Sequence, residues 1–289
     1  MADGGVTGAG WVVTGRDGQL GRALAALLPH AVLVDRPEFE LSDPGGVRRQ
    51  LVARAPSVIV HAGAWTAVDA AEADPEAARA VNVAGTSAVA RAAAETGALL
   101  VYLSTDYVFD GASARPYRED DPPHPLSVYG ASKLGGEEAA AQAPRHLVVR
   151  TSWVFGEGKN FIGAILAASA ARPGQALTVV DDQRGRPTYA VDLAGGMVAL
   201  VQAGATGLLH LQGGGEPGTW ADVAAVALEA AGRPAPVLRT STEAYNAGRP
   251  GPIAPRPANG VLDCARAAAL GVELRDWRQA VAAYVRVCA

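Results

Sequence analysis

Cysteine is scarce in this chain, and lysine is as well. The 289 residues hold 2 cysteines, Cys264 and Cys288. That is too few for a disulfide framework, so a reduced, cytoplasmic setting is expected. Only Lys133 and Lys159 carry an amine side chain, and every other fixed cation is arginine. Aromatic residues make up 6% of the sequence. Basic runs are missing too. The net charge is −4, and without a basic stripe the chain has no footprint for nucleic acid. No apolar stretch approaches the roughly 18 residues that a membrane-crossing helix needs. The opening residues, MADGGVTGAG, have neither a charged segment nor an apolar one. They read as a flexible tail over 1–10, not as a secretion leader.

What the chain does have is apolar periodicity. Hydrophobic residues are 49% of the total, enough for a nucleotide-binding domain and a smaller lobe. Apolar runs at Trp11–Thr14, Ala31–Val34, Ser57–Val60, Leu99–Leu103 and His146–Trp153 read as strands. Between them lie segments of helical spacing at 19–28, Pro44–Arg54, Asp74–Thr96 and Ser127–Ala143. Strands alternating with helices of this length predict an α/β fold, a doubly wound parallel sheet of Rossmann type. Beyond Trp153 the pattern predicts helices at Phe161–Ala170, Trp220–Ala231 and Asp276–Arg286, with short strands at Leu177–Val180 and Leu208–Leu211. The expected organisation is a dinucleotide-binding domain over 11–153 and a smaller, mainly substrate-binding lobe over 154–289. That lobe is partly interleaved, its two late strands being candidates to rejoin the sheet.

The turn after the first strand is Thr14-Gly15-Arg16-Asp17-Gly18-Gln19-Leu20-Gly21. Glycines let a backbone turn tightly and approach a pyrophosphate, whose charge a helix N-terminus stabilises. In a chain with 34 glycines the spacing alone weighs little. Its place between strand and helix is what points to a dinucleotide. Asp35 ends the second strand, where an acid would hold the ribose 2′-hydroxyl of NAD. Arg36 beside it, and Arg16 inside the turn, would instead meet the 2′-phosphate of NADP. NADPH is the expected cofactor, with NADH as the alternative.

Tyr129 and Lys133 stand four residues apart in a predicted helix, on one face. A phenol beside an ammonium is a usable acid near neutral pH, and it could protonate a ketone oxygen as a hydride arrives. Because the chain otherwise uses arginine, this lysine carries information. The segment Ser104-Thr105-Asp106 ends the fourth strand, at the edge where open parallel sheets gather ligands, and the Thr105 hydroxyl is placed to hold the same oxygen.

Together these residues resemble the extended short-chain dehydrogenase/reductase family, and within it the reductases of dTDP-4-keto-6-deoxysugars. The resemblance runs from Trp11 to about Asp263. It is carried by the blocks TGRDGQLG (14–21), HAGAWTAVDAAE (61–72), STDYVFDG (104–111), YGASK (129–133), RTSWVFG (150–156), DDQRGRPT (181–188) and RPANGVLD (256–263). It implies hydride transfer from NAD(P)H to the C4 ketone of a nucleotide-linked sugar, dTDP-4-dehydrorhamnose before others. It implies Thr105, Tyr129 and Lys133 as the catalytic set, and Gly15, Arg16, Gly18, Gln19, Leu20, Gly21, Asp35, Arg36, Ala62, Gly63, Ala64 and Thr66 as cofactor contacts together with Tyr129 and Lys133. On the substrate side it implies Thr105, Asp106, Tyr107, Trp153, Asn160 and Arg256. Related dehydratases carry a Glu where this chain has Tyr107, so the dehydratase reading loses its base. The alternatives are another dTDP-4-ketohexose reductase, or a non-catalytic homologue like the regulatory subunit of methionine adenosyltransferase. Some relatives hold a metal ion between subunits with glutamates. Here the matching positions are Ala23 and Val191, which cannot ligate a cation. No metal is expected, and the homodimer of such relatives loses its support.

Overall fold

The computed structural model describes residues 8–288. Its centre is a six-stranded parallel sheet. The strands are β1 (Trp11–Thr14), β2 (Val32–Val34), β3 (Val58–His61), β4 (Leu99–Thr105), β5 (His146–Thr151) and a late strand, Gly207–His210. Across the sheet the order is β2, β1, β3, β4, β5 and then the late strand. Successive residues face opposite layers. Val13, Val60, Val101 and Val149 pack under the helices Gln19–Leu27 and Ala190–Gln202. Val12, Ile59, Leu100 and Val148 pack under Pro44–Arg54 and Thr86–Thr96. Both faces are covered, which is why the strands read as near-continuous apolar runs.

The helix Ala190–Gln202, which periodicity did not single out, completes one of these layers with Leu193, Met197 and Leu200. The late strand runs parallel to β5, with Leu208 opposite Val148. Leu177–Val180, the other candidate for the sheet, lies outside it, paired in parallel with Val237–Thr240. Beyond the sheet a second core forms from Phe155, Ile162, Leu166, Val223, Trp277 and Val281. Residues 1–7 of the expected tail, like residue 289, lie outside the described residues. Gly8 is buried, and its carbonyl accepts from the Trp11 N–H at 2.9 Å, so the turn into β1 belongs to the fold.

The single helix expected from Asp74 to Thr96 is corrected. A separate helix, Val68–Ala73, precedes it, and Asp74 caps a fresh start through the Ala77 N–H at 3.0 Å. The helix then widens into one π-helical turn over Ala80–Gly85 before resuming as Thr86–Thr96 and ending at Gly97 in the left-handed conformation. A π turn inside an α-helix is a local misfit that folds tolerate chiefly at functional places. Here it carries Asn82, whose side chain is used at the site below.

Candidate functional site

Two clefts open beside the carboxyl ends of the strands. The larger, about 570 Å³, lies where the strand order reverses between β1 and β3, the position at which such sheets take ligands. Thr14, Gly15, Gly18, Asp35, Arg36, Ala62, Gly63, Ala64 and Thr66 line it, together with Asp17, Glu40 and Trp65.

The turn is built for close approach. Gly15 has φ 80°, and a Cβ on it would stand 2.6 Å from the Gly63 nitrogen. A Cβ on Gly21 would stand 2.0 Å from the Gly15 carbonyl oxygen, so only glycine lets the helix begin this near the turn. The helix Gln19–Leu27 starts at Gly18 with no side-chain cap and no acid in its first turn, which leaves its positive end turned toward the cleft. A dinucleotide pyrophosphate fits this cradle.

The other expected cofactor contacts divide. Leu20 is a core side chain, so its part in binding falls to its backbone. The Gln19 amide donates to the Lys159 carbonyl at 2.8 Å. Arg16 is folded onto Asp17 in a paired contact of 3.0 and 3.1 Å, whereas Arg36 lines the cleft. Both carboxylate oxygens of Asp35 take backbone N–H groups, from Asp17 at 2.9 Å and from Arg36 at 2.8 Å. Asp35 thus holds the turn itself.

The floor of the cleft is fixed by a chain of buried hydrogen bonds absent from the sequence reading. Thr86 donates its hydroxyl to the Asn82 carbonyl at 2.7 Å, so it can only accept from Nε2 of His61, 3.1 Å away. Nδ1 of His61 is then bare and accepts the Thr14 hydroxyl at 2.7 Å, while Thr14 accepts the Gly63 N–H at 3.2 Å. Burial and the charge of Lys133 pull the imidazole down to about 3 and keep it neutral. The Asn82 side chain takes the Trp65 N–H at 2.8 Å and donates to the Trp65 carbonyl at 3.1 Å and to Ser132 at 2.8 Å. The loop over Ala62–Thr66 is thereby tied to the helix Val128–Ala140, which bears Tyr129 and Lys133.

Ser127 caps that helix by accepting the Gly130 N–H at 3.1 Å. Lys133 is 4% exposed. Its ammonium donates to the Leu103 carbonyl at 2.7 Å and lies over the Tyr102 ring, 4.2 Å from the centroid. Desolvation draws it down to about 7, against the pull of Glu137. The phenol of Tyr129 is pushed well above its ordinary value by burial, with the Thr105 hydroxyl acting against the shift. In this arrangement burial outweighs the acidifying influence expected from Lys133, and the phenol is held protonated. Thr105 donates to Asp106 Oδ1 at 3.1 Å and accepts the Tyr107 N–H at 3.2 Å. The rings of Tyr107 and Tyr129 meet edge to face at 5.4 Å. Thr105, Asp106, Tyr107 and Tyr129 are therefore gathered at the end of β4.

The second cleft, about 200 Å³, lies over the smaller lobe. Phe161, Val180, Gln183, Trp220, Tyr245, Arg249 and Arg256 are among its lining residues. Arg256 is paired with Asp69 at 2.9 Å, and its charge acts against the burial that raises the Tyr107 phenol. Trp153 is not the last residue of a strand but a strained one, with φ 47°. Its indole stacks on Trp220 at 3.8 Å, and Trp220 donates to Gln183 at 3.1 Å. Asn160 caps the helix Phe161–Ala171 through Gly163 and donates to Gly156, Gly158 and Tyr284, so its amide is taken up by the scaffold. Trp220, Gln183 and Arg249 escaped the sequence reading. Gln183 lies inside the DDQRGRPT block, which was the one available signal. Ala23 is half-buried and Val191 exposed. Among the described residues no group of three or more His, Cys, Asp or Glu stands where it could hold a metal ion, and no helix is long and apolar enough to cross a membrane.

The family model described as the RmlD substrate binding domain matches residues 11–289. The chain is 39% identical over 284 residues to the dTDP-4-dehydrorhamnose reductase of Streptomyces griseus, covering 94% of this chain and 91% of that one. It is 41% identical over 221 residues to the dTDP-4-keto-6-deoxy-D-glucose reductase of Streptomyces niveus, covering 74% and 76%. Among solved structures, the dTDP-4-dehydrorhamnose reductase of Bacillus anthracis in complex with NADP superposes with a TM-score of 0.89 at 30% identity, covering 96% of this chain and 98% of that one.

Proposed function

The chain belongs to the RmlD substrate binding domain family, and on that premise we propose that it is an NADPH-dependent reductase of a dTDP-4-keto-6-deoxysugar, with dTDP-4-dehydrorhamnose as its preferred substrate. One observation carries the reading. A buried lysine, a phenol and a hydroxyl stand together at the end of β4, in a fold that also carries a glycine cradle for a dinucleotide and a second cleft that holds arginines.

NADPH, when bound, supplies the hydride. The turn Gly15–Gly21 and the Gln19–Leu27 helix would hold its pyrophosphate, and Arg36 its 2′-phosphate. Ala62, Gly63, Ala64 and Thr66 would line its path, and Lys133 would meet its nicotinamide ribose. Arg256 and Arg249 would hold the diphosphate of the sugar nucleotide, because planar guanidinium groups suit phosphate oxygens. Trp153 and Trp220 would offer their flat faces to the apolar side of the substrate. Tyr129 gives its proton to the C4 oxygen, and Thr105 donates a hydrogen bond to the same oxygen. The raised phenol is an acid suited to one direction: it stays protonated until a developing alkoxide, more basic still, takes the proton.

The test is NADPH oxidation, followed by absorbance, with the 4-keto-6-deoxysugar offered before and after 3,5-epimerisation. Turnover is expected with the epimerised, L-configured form. Turnover with the unepimerised sugar alone would keep the reductase and move its substrate to that of the Streptomyces niveus relative. A product that had lost water would overturn the reductase.

A further inference from the structure

Asp106 is the most deeply buried acid at the site. It is 1% exposed, and its Oδ2 has no hydrogen-bond partner. A carboxyl in such a place costs several kcal/mol to ionise unless it is paired. What faces Asp106 is polar but uncharged. From its own segment come the Thr105 hydroxyl and the Tyr107 N–H. From the helix Val128–Ala140 comes the Tyr129 phenol, itself protonated. From the segment after Arg256 comes only Gly260, whose backbone backs so closely on Oδ2 that a Cβ there would stand 2.2 Å from it. Arg256, the cation whose charge reaches Tyr107, is paired with Asp69, the acid of the Val68–Ala73 helix. Among the described residues Asp106 therefore has no counter-ion of its own, and burial lifts it to about 7. Its one engaged oxygen is on Thr105 at 3.1 Å, and the Thr105 hydroxyl is the group that acts against the raised Tyr129 phenol. A carboxylic acid thus sits one hydroxyl away from the phenol.

Resting on the reductase reading above, we infer that Asp106 is the acid that returns a proton to Tyr129 through the Thr105 hydroxyl after each turnover. The reduction leaves Tyr129 as phenolate, its proton now on the C4 oxygen. The Thr105 hydroxyl turns its proton from Asp106 Oδ1 to that phenolate, gives it up there, and takes one from the Asp106 carboxyl in its place. The bonds broken are Asp106 O–H and Thr105 O–H; those formed are Thr105 O–H and Tyr129 O–H. Asp106 is left as carboxylate and regains its proton from solvent after the product has left. No oxidant or reductant is needed. The tight backing by Gly260 gives the charged form no room for a cation, which returns the carboxylate to the acid form.

Two measurements test this. The first needs no substrate. An infrared difference spectrum between the protein and Asp106→Asn should show a carboxylic acid C=O band at pH 6 that fades as pH rises through about 7. Absence of that band would remove the acid and with it the relay. The second is the pH profile of kcat with NADPH and the sugar substrate. In the unmodified enzyme kcat should fall above neutrality as Asp106 loses its proton. Asp106→Asn should lower kcat on the order of 10²-fold, flatten that limb, and recover in part with formic acid as a small proton donor. Thr105→Ser should keep the profile, and Thr105→Val should lose it. A variant with raised KM, unchanged kcat and an unchanged profile would make Asp106 a substrate contact only, and overturn the relay while leaving the reductase intact. An unmodified enzyme inactive with every 4-ketosugar offered would instead overturn the reductase, and the relay with it.

Discussion

Thr14 gives its hydroxyl proton to Nδ1 of His61 at 2.7 Å, which closes a directed run of hydrogen bonds that ends on the Asn82 carbonyl. It leaves a Thr14 lone pair for the Gly63 N–H at 3.2 Å. Replacing His61 with Phe would strand the Thr14 hydroxyl proton in a dry interior, at about 1–3 kcal/mol, while Thr86 keeps its bond to the Asn82 carbonyl. The expected outcome is a lower Tm and a raised KM for NADPH, with kcat at saturation far less affected. A loss confined to kcat would show that the chain of bonds serves something other than the loop.

The same histidine predicts how the fold responds to acid. Burial holds His61 and His210 near 3, whereas an unfolded chain binds the proton at its ordinary value of about 6.5. Between those values the unfolded state binds more protons, so stability rises with pH through the window and is lost on acidification. Each histidine contributes a slope of about 1.4 kcal/mol per pH unit. Urea midpoints measured from pH 7 down to pH 4 should fall steeply, and His61→Phe should flatten the fall. An equal slope in both proteins would take His61 out of the acid response.

Tyr129→Phe keeps the ring against Tyr107 and removes the proton. Turnover should drop on the order of 10²–10⁴-fold. Substrate KM should change little, because the edge-to-face contact at 5.4 Å survives. Near-normal turnover would exclude Tyr129 as the acid.

Cofactor choice should rest on Arg36 more than on Arg16. Arg16 is spent on Asp17, while Arg36 lines the cleft. Arg36→Ala should reduce the preference for NADPH over NADH by roughly 1.5–3 kcal/mol, the scale of a charge-assisted contact, and Arg16→Ala by less. Fluorescence titration of both variants with both cofactors decides it. Equal affinities in the unmodified protein would pass recognition to Asp35.

Trp153 can hold its φ of 47° only because neighbours over-determine it. Trp220→Ala removes the indole stacked on it at 3.8 Å. The sugar nucleotide KM should rise and the NADPH KM should stay, since the two clefts are separate. A parallel rise in both would mean the lobe itself had shifted.

Much of this architecture could be read from the chain. Parallel strands buried on both faces announce themselves as apolar runs, and Pro44 and Gly97 mark helix ends by chemistry that depends on their nearest neighbours alone. The glycine turn and the Tyr129–Lys133 spacing are local in the same sense. What stayed hidden is non-local. His61 reads as one more residue after an apolar run until Thr14 and Thr86 are folded around it. Asn82 looks like a polar residue in an Ala-rich helix, and only the π turn shows that it points at Trp65. Trp153 read as the end of a strand because nothing in the order of residues reveals a positive φ. The phenol of Tyr129 was expected to be acidified by Lys133. In the fold, desolvation acts on both groups at once, and no spacing rule contains that quantity.

Gly207–His210 is encoded far from its partner β5, and this bears on how the chain assembles. Until residue 210 has left the ribosome, β5 has no neighbour on its outer side, and an apolar strand with unpaired amides is a template for other chains. The closing contact joins segments some sixty residues apart, so folding should be slow for the molecule's size. A truncation at 153, which would look like a clean nucleotide-binding half, should expose that edge and aggregate. Adding back a separate fragment from 154 onward should rescue solubility only if it contains residues 207–210. On that outcome the sheet is completed only by both halves, and each depends on the other for its edge.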